Sequence, residues 1–408
     1  MDSDTNTSNI SRHEQMAFNF VSLIAPISAD RFLAEYWENK PLFLKRGSES
    51  FYGHLLCQKD VEHIVSSTDL RHPAMRLAKH GSYLPPRTYT TSFNYGDDAF
   101  TGIPDIGIVS AEYRSGATVV LPALDRNWEP LQLLRADLED RFDHVAHMNA
   151  YITPGNAVGF SPHYDTHEVF ILQIAGKKHW RVCEPPLRLP HESQPFIPAG
   201  YTPTEPILDI ELTAGDLLYL PRGYIHAAMT SDVHSIHITI GISIYTWVEL
   251  LLELVSASKQ SEVFRKGLPP GFASREDVKS IVKSTLPELI DQLGKLSDVD
   301  VIMESFTRRL KAKRVATRPA FHADERVIGL DSNLKVLDTK YQVSQENGSI
   351  EVEFDGKRIL LPGYVKEVLN SICTLGSFTV RDLPANLDDE TKLVLLRHLQ
   401  LEGFVVAG

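Results

Sequence analysis

The densest chemistry in the chain lies in SPHYDTHEVF, where His163 and Asp165 stand two residues apart just before an apolar run. Side chains at i and i+2 of an extended strand leave the same face, so one imidazole and one carboxylate can reach a single ion. A second imidazole, His226 in PRGYIHAA, comes from a distant segment, after a Gly-Asp turn and a Pro-Arg-Gly turn. Two histidines and one carboxylate on one side of an octahedron leave three positions open, which suits a non-haem iron(II) centre of the oxygenase type. His163, Asp165 and His226 are therefore the expected metal ligands and catalytic centre. An HxD pair alone is weak in a chain with 16 histidines; the preceding TPGNAVGFSP loop and the later histidine in its turn context strengthen it. On a strand, His167 shares the face of His163 but lies roughly 13 Å further along. His179, His234 and His237 are expected to pack in or near a barrel, with His237 the one placed to support the ligands.

An open iron site needs an electron donor. The usual small-molecule partner is a 2-oxoacid that chelates the metal through its keto-acid end, and its far carboxylate then needs a cation. Lys178 in AGKKHW follows a predicted turn and can point inward, in which case alternation sends Lys177 outward. Taken alone, such a lysine reads as a solvated turn residue.

These side chains must be positioned by short strands. HEVFILQIAG and KKHWRVCEP read as two strands around an Ala175-Gly176 turn, GDLLYLPRGYIHAAM as a pair joined at Pro221-Arg222-Gly223, and SIHITIGISIY as a half-buried strand. Their length and even spacing point to a barrel or sandwich. Upstream, FLAEYWENKPLFLKRG reads as a short amphipathic helix running into a Pro-bounded strand, and Tyr83 to Arg87 as a loop. After Trp247, apolar residues recur at spacings of three and four, as in helices. The basic run Arg308 to Arg318 leads to Pro319 as a linker. The expected plan is a disordered terminus over 1–14, rich in Ser, Asn and Asp, a β-rich domain over 15–246, a helical domain over 247–320, and a small module over 321–408. In that last module the order of hairpin, helix, turn and helix is compatible with a winged-helix fold.

With 408 residues, two or three domains are expected. The formal net charge of -12 argues against non-specific nucleic-acid binding and favours basic partners. Between Asp324 and Gly408 there are 9 Lys or Arg against 14 Asp or Glu, so the terminal module is not expected to bind DNA directly. Three cysteines far apart give neither a disulfide framework nor a zinc ribbon and fit a reducing compartment. The start lacks the features of a secretory signal, and no apolar run reaches membrane-spanning length; an intracellular protein is expected.

YWENKPLFLKR, MNAYITPGNAVGFSPHYDTHEVFILQIAGKKHWRVCEP and GDLLYLPRGYIHAA together resemble the JmjC-type 2-oxoglutarate oxygenases, and within them the ribosomal oxygenase group, also called the cupin-4 family. The match is dense from about Arg31 to Tyr245. The resemblance implies a mixed α/β, multi-domain chain: a double-stranded β-helix (cupin or JmjC jelly roll), a helical dimerisation domain and a winged-helix-like domain. It implies Fe(II), 2-oxoglutarate and O2, with iron on His163, Asp165 and His226 and the distal carboxylate of 2-oxoglutarate on Lys178. Asn149 and Tyr151 match positions lining the co-substrate pocket, and Ser243 is a further candidate there. The family forms homodimers and hydroxylates a histidine or arginine of a ribosomal protein at the β-carbon. PRGYIHAA and Lys178 look more like its histidine-hydroxylating branch. Protein or histone demethylation on the same scaffold, and a non-catalytic cupin scaffold, are the alternatives. The compartment is cytoplasmic in a bacterium and nuclear or nucleolar in a eukaryote.

Overall fold

The computed structural model describes residues 18–158, 160–274, 277–296, 302–303, 306–307, 328–336, 341–346, 348–354 and 357–407. The expected disordered terminus and the basic run at 308–318 lie outside the described residues. The chain divides into two compact units, residues 1–251 and 252–408.

In chain order, the strands of the first unit are β1 (Leu42–Leu44), β2 (Arg76–Lys79), β3 (Ser82–Tyr83), β4 (Thr90–Tyr95), β5 (Asp98–Pro104), β6 (Thr118–Leu121), β7 (Val145–Thr153), β8 (Glu168–Cys183), β9 (Leu208–Thr213), β10 (Leu217–Leu220), β11 (Ile225–Met229) and β12 (Ser235–Ser243). Its helices include α1 (Phe20–Ile24), α2 (Ala29–Glu35), α3 (Gln58–Ser67), α4 (Ile106–Arg114) and α5 (Glu129–Phe142). β4 and β5 form a separate hairpin; the other strands run in the order β1-β10-β8-β12-β7-β6-β2-β3, with β9 and β11 added on β8.

β8 organises this unit. Its first half pairs with β10 and β12, and its second half with β9 and β11, so one strand serves two sheets. Alternation assigns the faces. Met148 and Ala150 of β7, Phe170 and Leu172 of β8, and Ile236, Ile238, Ile240 and Ile242 of β12 enter one apolar core with α1, α2 and α5. Val169, Ile171, Trp180, Val182, Leu212 and Leu218 form a second core. Each large side chain so buried contributes about 1.5–3 kcal/mol, so a one-residue slip that turned the isoleucine row of β12 outward is strongly disfavoured.

The expected turn at Ala175-Gly176 is a bend inside β8. Gly176 has φ of +64°, and a Cβ there would lie 1.8 Å from the His234 carbonyl oxygen, so only glycine lets β12 pass this closely. Beside it the pairing with β12 skips Ile174, because His237 faces Gln173 while Ile236 faces Ala175. Such a β-bulge moves every later side chain to the other face. β10 and β11 are joined at Pro221-Arg222-Gly223 as expected, but they pair with different halves of β8 and not with each other.

After Trp247 the chain is helical, with α6 (Trp247–Ala257), α7 (Glu262–Arg265) and α8 (Val278–Leu296). The second unit also holds β13 (Leu334–Val336), a meander of β14 (Tyr341–Glu346), β15 (Ser349–Phe354) and β16 (Lys357–Pro362), then α9 (Lys366–Leu375), β17 (Ser377–Phe378), α10 (Asp389–Leu401) and β18 (Val405–Ala407). β13 lies between β17 and β18. Its apolar core takes Val368, Leu369 and Ile372 from α9 and Leu395, Leu396 and Leu399 from α10. Among the described residues, no helix is long and apolar enough to cross a membrane.

Candidate active site

His163 and His226 face each other in an isolated antiparallel bridge. The His226 amide donates to the His163 carbonyl at 2.8 Å, and the His163 amide donates back at 3.2 Å. The HxD pair thus sits in the connection before β8, not on a strand as expected, and this bridge takes over the positioning. Asp165 Oδ1 is 4.0 Å from His163 Nε2, and its Oδ2 is 3.6 Å from His226 Nε2. One ligand atom from each of the three residues lies within 4.8 Å of the others. The Gly223 amide, in the turn before β11, donates to the Asp165 carbonyl at 3.0 Å and ties the two loops together.

The hydrogen bonds on the far side of each ring settle the tautomers. His163 Nδ1 is 2.7 Å from the Ser161 carbonyl, and His226 Nδ1 is 3.1 Å from that of Tyr224. Carbonyls only accept, so both Nδ1 atoms carry a proton, and both Nε2 atoms are left facing Asp165. Burial and the neighbouring His163 push His226 down to about 4. Burial would raise Asp165, but His167, His226, His163 and His147 together hold its carboxyl below the usual range. Neutral imidazoles and an ionised carboxylate are the forms a metal takes. Ligands about 2 Å from one ion and at right angles are roughly 3 Å apart, so the three stand slightly open around a point they can close on.

The turn that carries His226 is anchored by YWENKP. Arg222 is buried and pairs with Glu168 at 3.0 Å and, more closely, with Glu38. The Tyr219 hydroxyl donates to Glu168 and accepts from the Glu38 amide at 3.0 Å, while the Tyr224 hydroxyl donates to the Asn39 carbonyl at 3.0 Å. Burial pushes the Glu168 carboxyl up against the opposing pull of Tyr219 and Arg222. The sequence presented Glu38 and Asn39 only as parts of a motif; the structure gives them a positioning role.

His163, Asp165 and His226 line a cavity of about 110 Å³ together with Asn149, Tyr151, Lys178, Trp180, His237 and Thr239. Asn149 Oδ1 accepts from the Ala123 amide at 3.0 Å. Tyr151 stacks on His237, with ring centroids 4.8 Å apart and planes 5° from parallel. Lys178 is buried, and its Nζ donates to Thr153 Oγ1 at 3.2 Å. Burial pushes this amine down to about 7. Among the described residues it has no acidic partner. Lys177 points outward and pairs with Glu211 at 3.4 Å. Ser243 does not reach the cavity: it lies opposite Val145 at the end of β12, four residues beyond Thr239, or about 13 Å. Thr239, opposite Asn149, lines the cavity instead. Alternation along β12 from His237 was the signal that could have found Thr239.

Two more histidines lie close by. His147 and His167 meet edge to face at 5.0 Å, and His167 lines the cavity. Gly241 makes room for them, since a Cβ there would lie 2.4 Å from His147 Cε1. Burial pushes His147 down to about 4.

Residues 128–250 match the model of the JmjC domain family. Ribosomal oxygenase 1 of Gallus gallus is 31% identical over 71% of this chain and 49% of its own length. The Drosophila persimilis protein named bifunctional lysine-specific demethylase and histidyl-hydroxylase NO66 is 32% identical over 60% of this chain and 36% of its own. The chain therefore spans about half the length, or less, of the curated relatives it matches. The crystal structure of the Escherichia coli ribosomal oxygenase YcfD superposes with a TM-score of 0.51 and 18% identity, covering 94% of this chain and 98% of that one. The same protein in complex with cobalt and succinic acid superposes with a TM-score of 0.50 and 19% identity, covering 93% and 98%. At such identities the likeness is one of fold.

Proposed function

We propose, from the JmjC domain that this chain carries over residues 128–250, that it is an Fe(II)- and 2-oxoglutarate-dependent protein hydroxylase acting on a histidine or arginine side chain of a ribosomal protein. The observation that carries the reading is the meeting of His163, Asp165 and His226, each with a ligand atom turned to the others, in the same cavity as the buried Lys178. The residues fit the groups. Two imidazoles and one carboxylate suit a divalent iron with open positions. A buried amine with no acidic partner among the described residues suits the far carboxylate of a small dicarboxylate. The relatives named ribosomal oxygenase, and the solved fold neighbour with cobalt and succinic acid, agree with this reading.

When bound, iron and 2-oxoglutarate supply the activation of O2. The chain supplies position and exclusion. His163 and His226 hold their lone pairs inward through the Ser161 and Tyr224 carbonyls, and Asp165 brings the negative charge. Lys178 fixes the far end of the co-substrate, with Asn149, Tyr151 and Thr239 along its length. The apolar walls of Val169, Ile171 and Trp180 keep water from the reacting atoms. No side-chain general base is needed.

A second reading, demethylation of a protein lysine, is favoured by the name of the Drosophila relative. It uses the same ligands and differs only in the carbon presented to them.

Several finer readings go with the main one. Trp247, Val248, Leu251, Leu252 and Val255 on α6, and Ile281, Val282, Leu286 and Ile290 on α8, are exposed apolar side chains at helical spacing; they support a homodimer built on this segment. The domain plan stays as the sequence expectation has it, with a helical dimerisation domain over 247–320 and a winged-helix-like domain over 321–408. The protein acts inside the cell, in the cytoplasm of a bacterium or the nucleus or nucleolus of a eukaryote.

The experiment is turnover. Purified protein with Fe(II), ascorbate, 2-oxoglutarate and a mixture of ribosomal proteins should form succinate and add one oxygen atom to one of them, and Asp165→Ala should do neither. Removal of a methyl group from a lysine, without retained oxygen, supports the second reading instead.

A further inference from the structure

Beside Lys178, which has Thr153 but no acidic partner among the described residues, the cavity wall holds a polar group with no hydrogen-bond partner there at all. His237 is 3% exposed, lines the same cavity, and its Nδ1 is buried with no hydrogen bond to any described residue. A buried polar atom left unsatisfied costs about 1–3 kcal/mol, so a residue that lines a ligand cavity and carries one points to a group that arrives with the ligand.

The ring is held firmly in place. It stacks on Tyr151, as described, and meets Trp180 edge to face at 5.6 Å. Trp180 also carries Lys178 Nζ above its ring at 5.9 Å, so the imidazole and the ammonium share one wall of the cavity. Beside that wall are Thr153, which already receives Lys178, and Thr118, whose hydroxyl donates to Thr153 at 3.2 Å. The β-bulge at Ile174 is what brings Lys178 to this side, since counting on from Val169 and Ile171 by alternation would put Lys177 here.

We infer that His237 is the second donor to the far carboxylate of the co-substrate, taking one of its oxygens while Lys178 takes the other. This rests on the reading of the cavity as a 2-oxoglutarate site. Burial and the neighbouring Lys178 hold the imidazole well below its usual range, so it is neutral and donates through one N–H. A neutral donor beside a cation suits a carboxylate better than two cations do, because like charges packed together in a dry wall repel. The pair divides the work: Lys178 supplies the charge, and His237 supplies direction and sets where the carboxylate ends. His237 is thus a binding and positioning residue that selects a dicarboxylate of this length.

The test is binding to the full chain loaded with Zn(II), which stands in for iron and allows no turnover. Calorimetric titration with 2-oxoglutarate compares the wild type, His237→Phe and His237→Asn. Phenylalanine keeps a ring to stack on Tyr151 and loses the donor, while asparagine loses the ring and keeps a donor. The expected result is a dissociation constant about tenfold higher for His237→Phe, the loss of one ordinary hydrogen bond, with His237→Asn close to the wild type and Zn(II) affinity unchanged in both. The reverse order, Phe tight and Asn weak, would show that the ring only packs and would overturn the inference. A measurement on the unaltered protein guards against misfolded variants. In the imidazole ¹⁵N spectrum of the Zn(II)-loaded wild type, adding 2-oxoglutarate should shift one histidine that is not a metal ligand, and an unmoved set of such histidines overturns the inference. If the wild type binds 2-oxoglutarate and only Lys178→Ala loses it, the inference fails while the proposed function stands. If the Zn(II)-loaded wild type does not bind 2-oxoglutarate at all, the proposed function fails first.

Discussion

Arg222 Nη1 lies 3.0 Å from Glu168 Oε1, and both side chains are almost wholly out of water. The pair joins the first residue of β8 to the turn that carries His226, and through Glu38 it reaches YWENKP. A buried pair adds little net stability, but removing one partner strands the other. Arg222→Ala should therefore destabilise the first unit by about 3 kcal/mol, measured by denaturant unfolding. Replacing Arg222 by Met and Glu168 by Leu together should cost less than either change alone, a coupling that a double-mutant cycle reads directly. Equal and additive costs contradict this role.

On the proposed assignment, metal binding depends on His163, Asp165 and His226 together. His163→Ala should lower the affinity for Co(II) and remove the visible spectrum of the bound ion. His179→Ala, at a histidine that pairs with Asp209 on the outer side of β8, should leave both unchanged. A His163 variant with undiminished Co(II) binding contradicts the ligand assignment.

Lys178 should cost the ligand-free protein stability. Its folded pKa of about 7 lies below the unfolded value of about 10.4, so the unfolded chain binds more protons between these limits. Its penalty is thus absent above about pH 10, grows as pH falls, and is complete near pH 7. It amounts to at most about 5 kcal/mol at 1.36 kcal/mol per unit. Lys178→Met should accordingly raise the melting temperature of the ligand-free protein at pH 7, with the gain shrinking toward pH 10, while 2-oxoglutarate binding is lost. A lysine variant equally stable at every pH would refute the burial argument.

The exposed apolar rows on α6 and α8 predict a dimer. Sedimentation should give twice the chain mass of 45.8 kDa for the wild type, and Leu286→Asp with Ile290→Asp should shift it to the monomer. A wild type that is monomeric at high micromolar concentration contradicts the homodimer.

Much of this was legible because particular residues carry their own geometry. His163, Asp165 and His226 could be picked by type and spacing, and the structure brings them together, although through a backbone bridge that spacing does not foretell. Isoleucines at 236, 238, 240 and 242 declared β12 and its buried face. Ala175-Gly176 misled, because a glycine that permits a close crossing inside a strand looks the same in sequence as one that makes a turn. The bulge at Ile174 was invisible for a related reason: it depends on the partner strand. Ser243 was misplaced because nothing in the chain marks how far along β12 the cavity extends. Glu38 and Arg222, 184 residues apart, meet only through the fold.

The most direct measurement is tandem mass spectrometry of ribosomal proteins from cells with and without this gene. The account predicts one histidine or arginine heavier by a single oxygen atom at its β-carbon, lost with the gene and restored by the wild type but not by His163→Ala. Identical spectra from the two cell types, under conditions where the protein is expressed, would contradict a ribosomal hydroxylase.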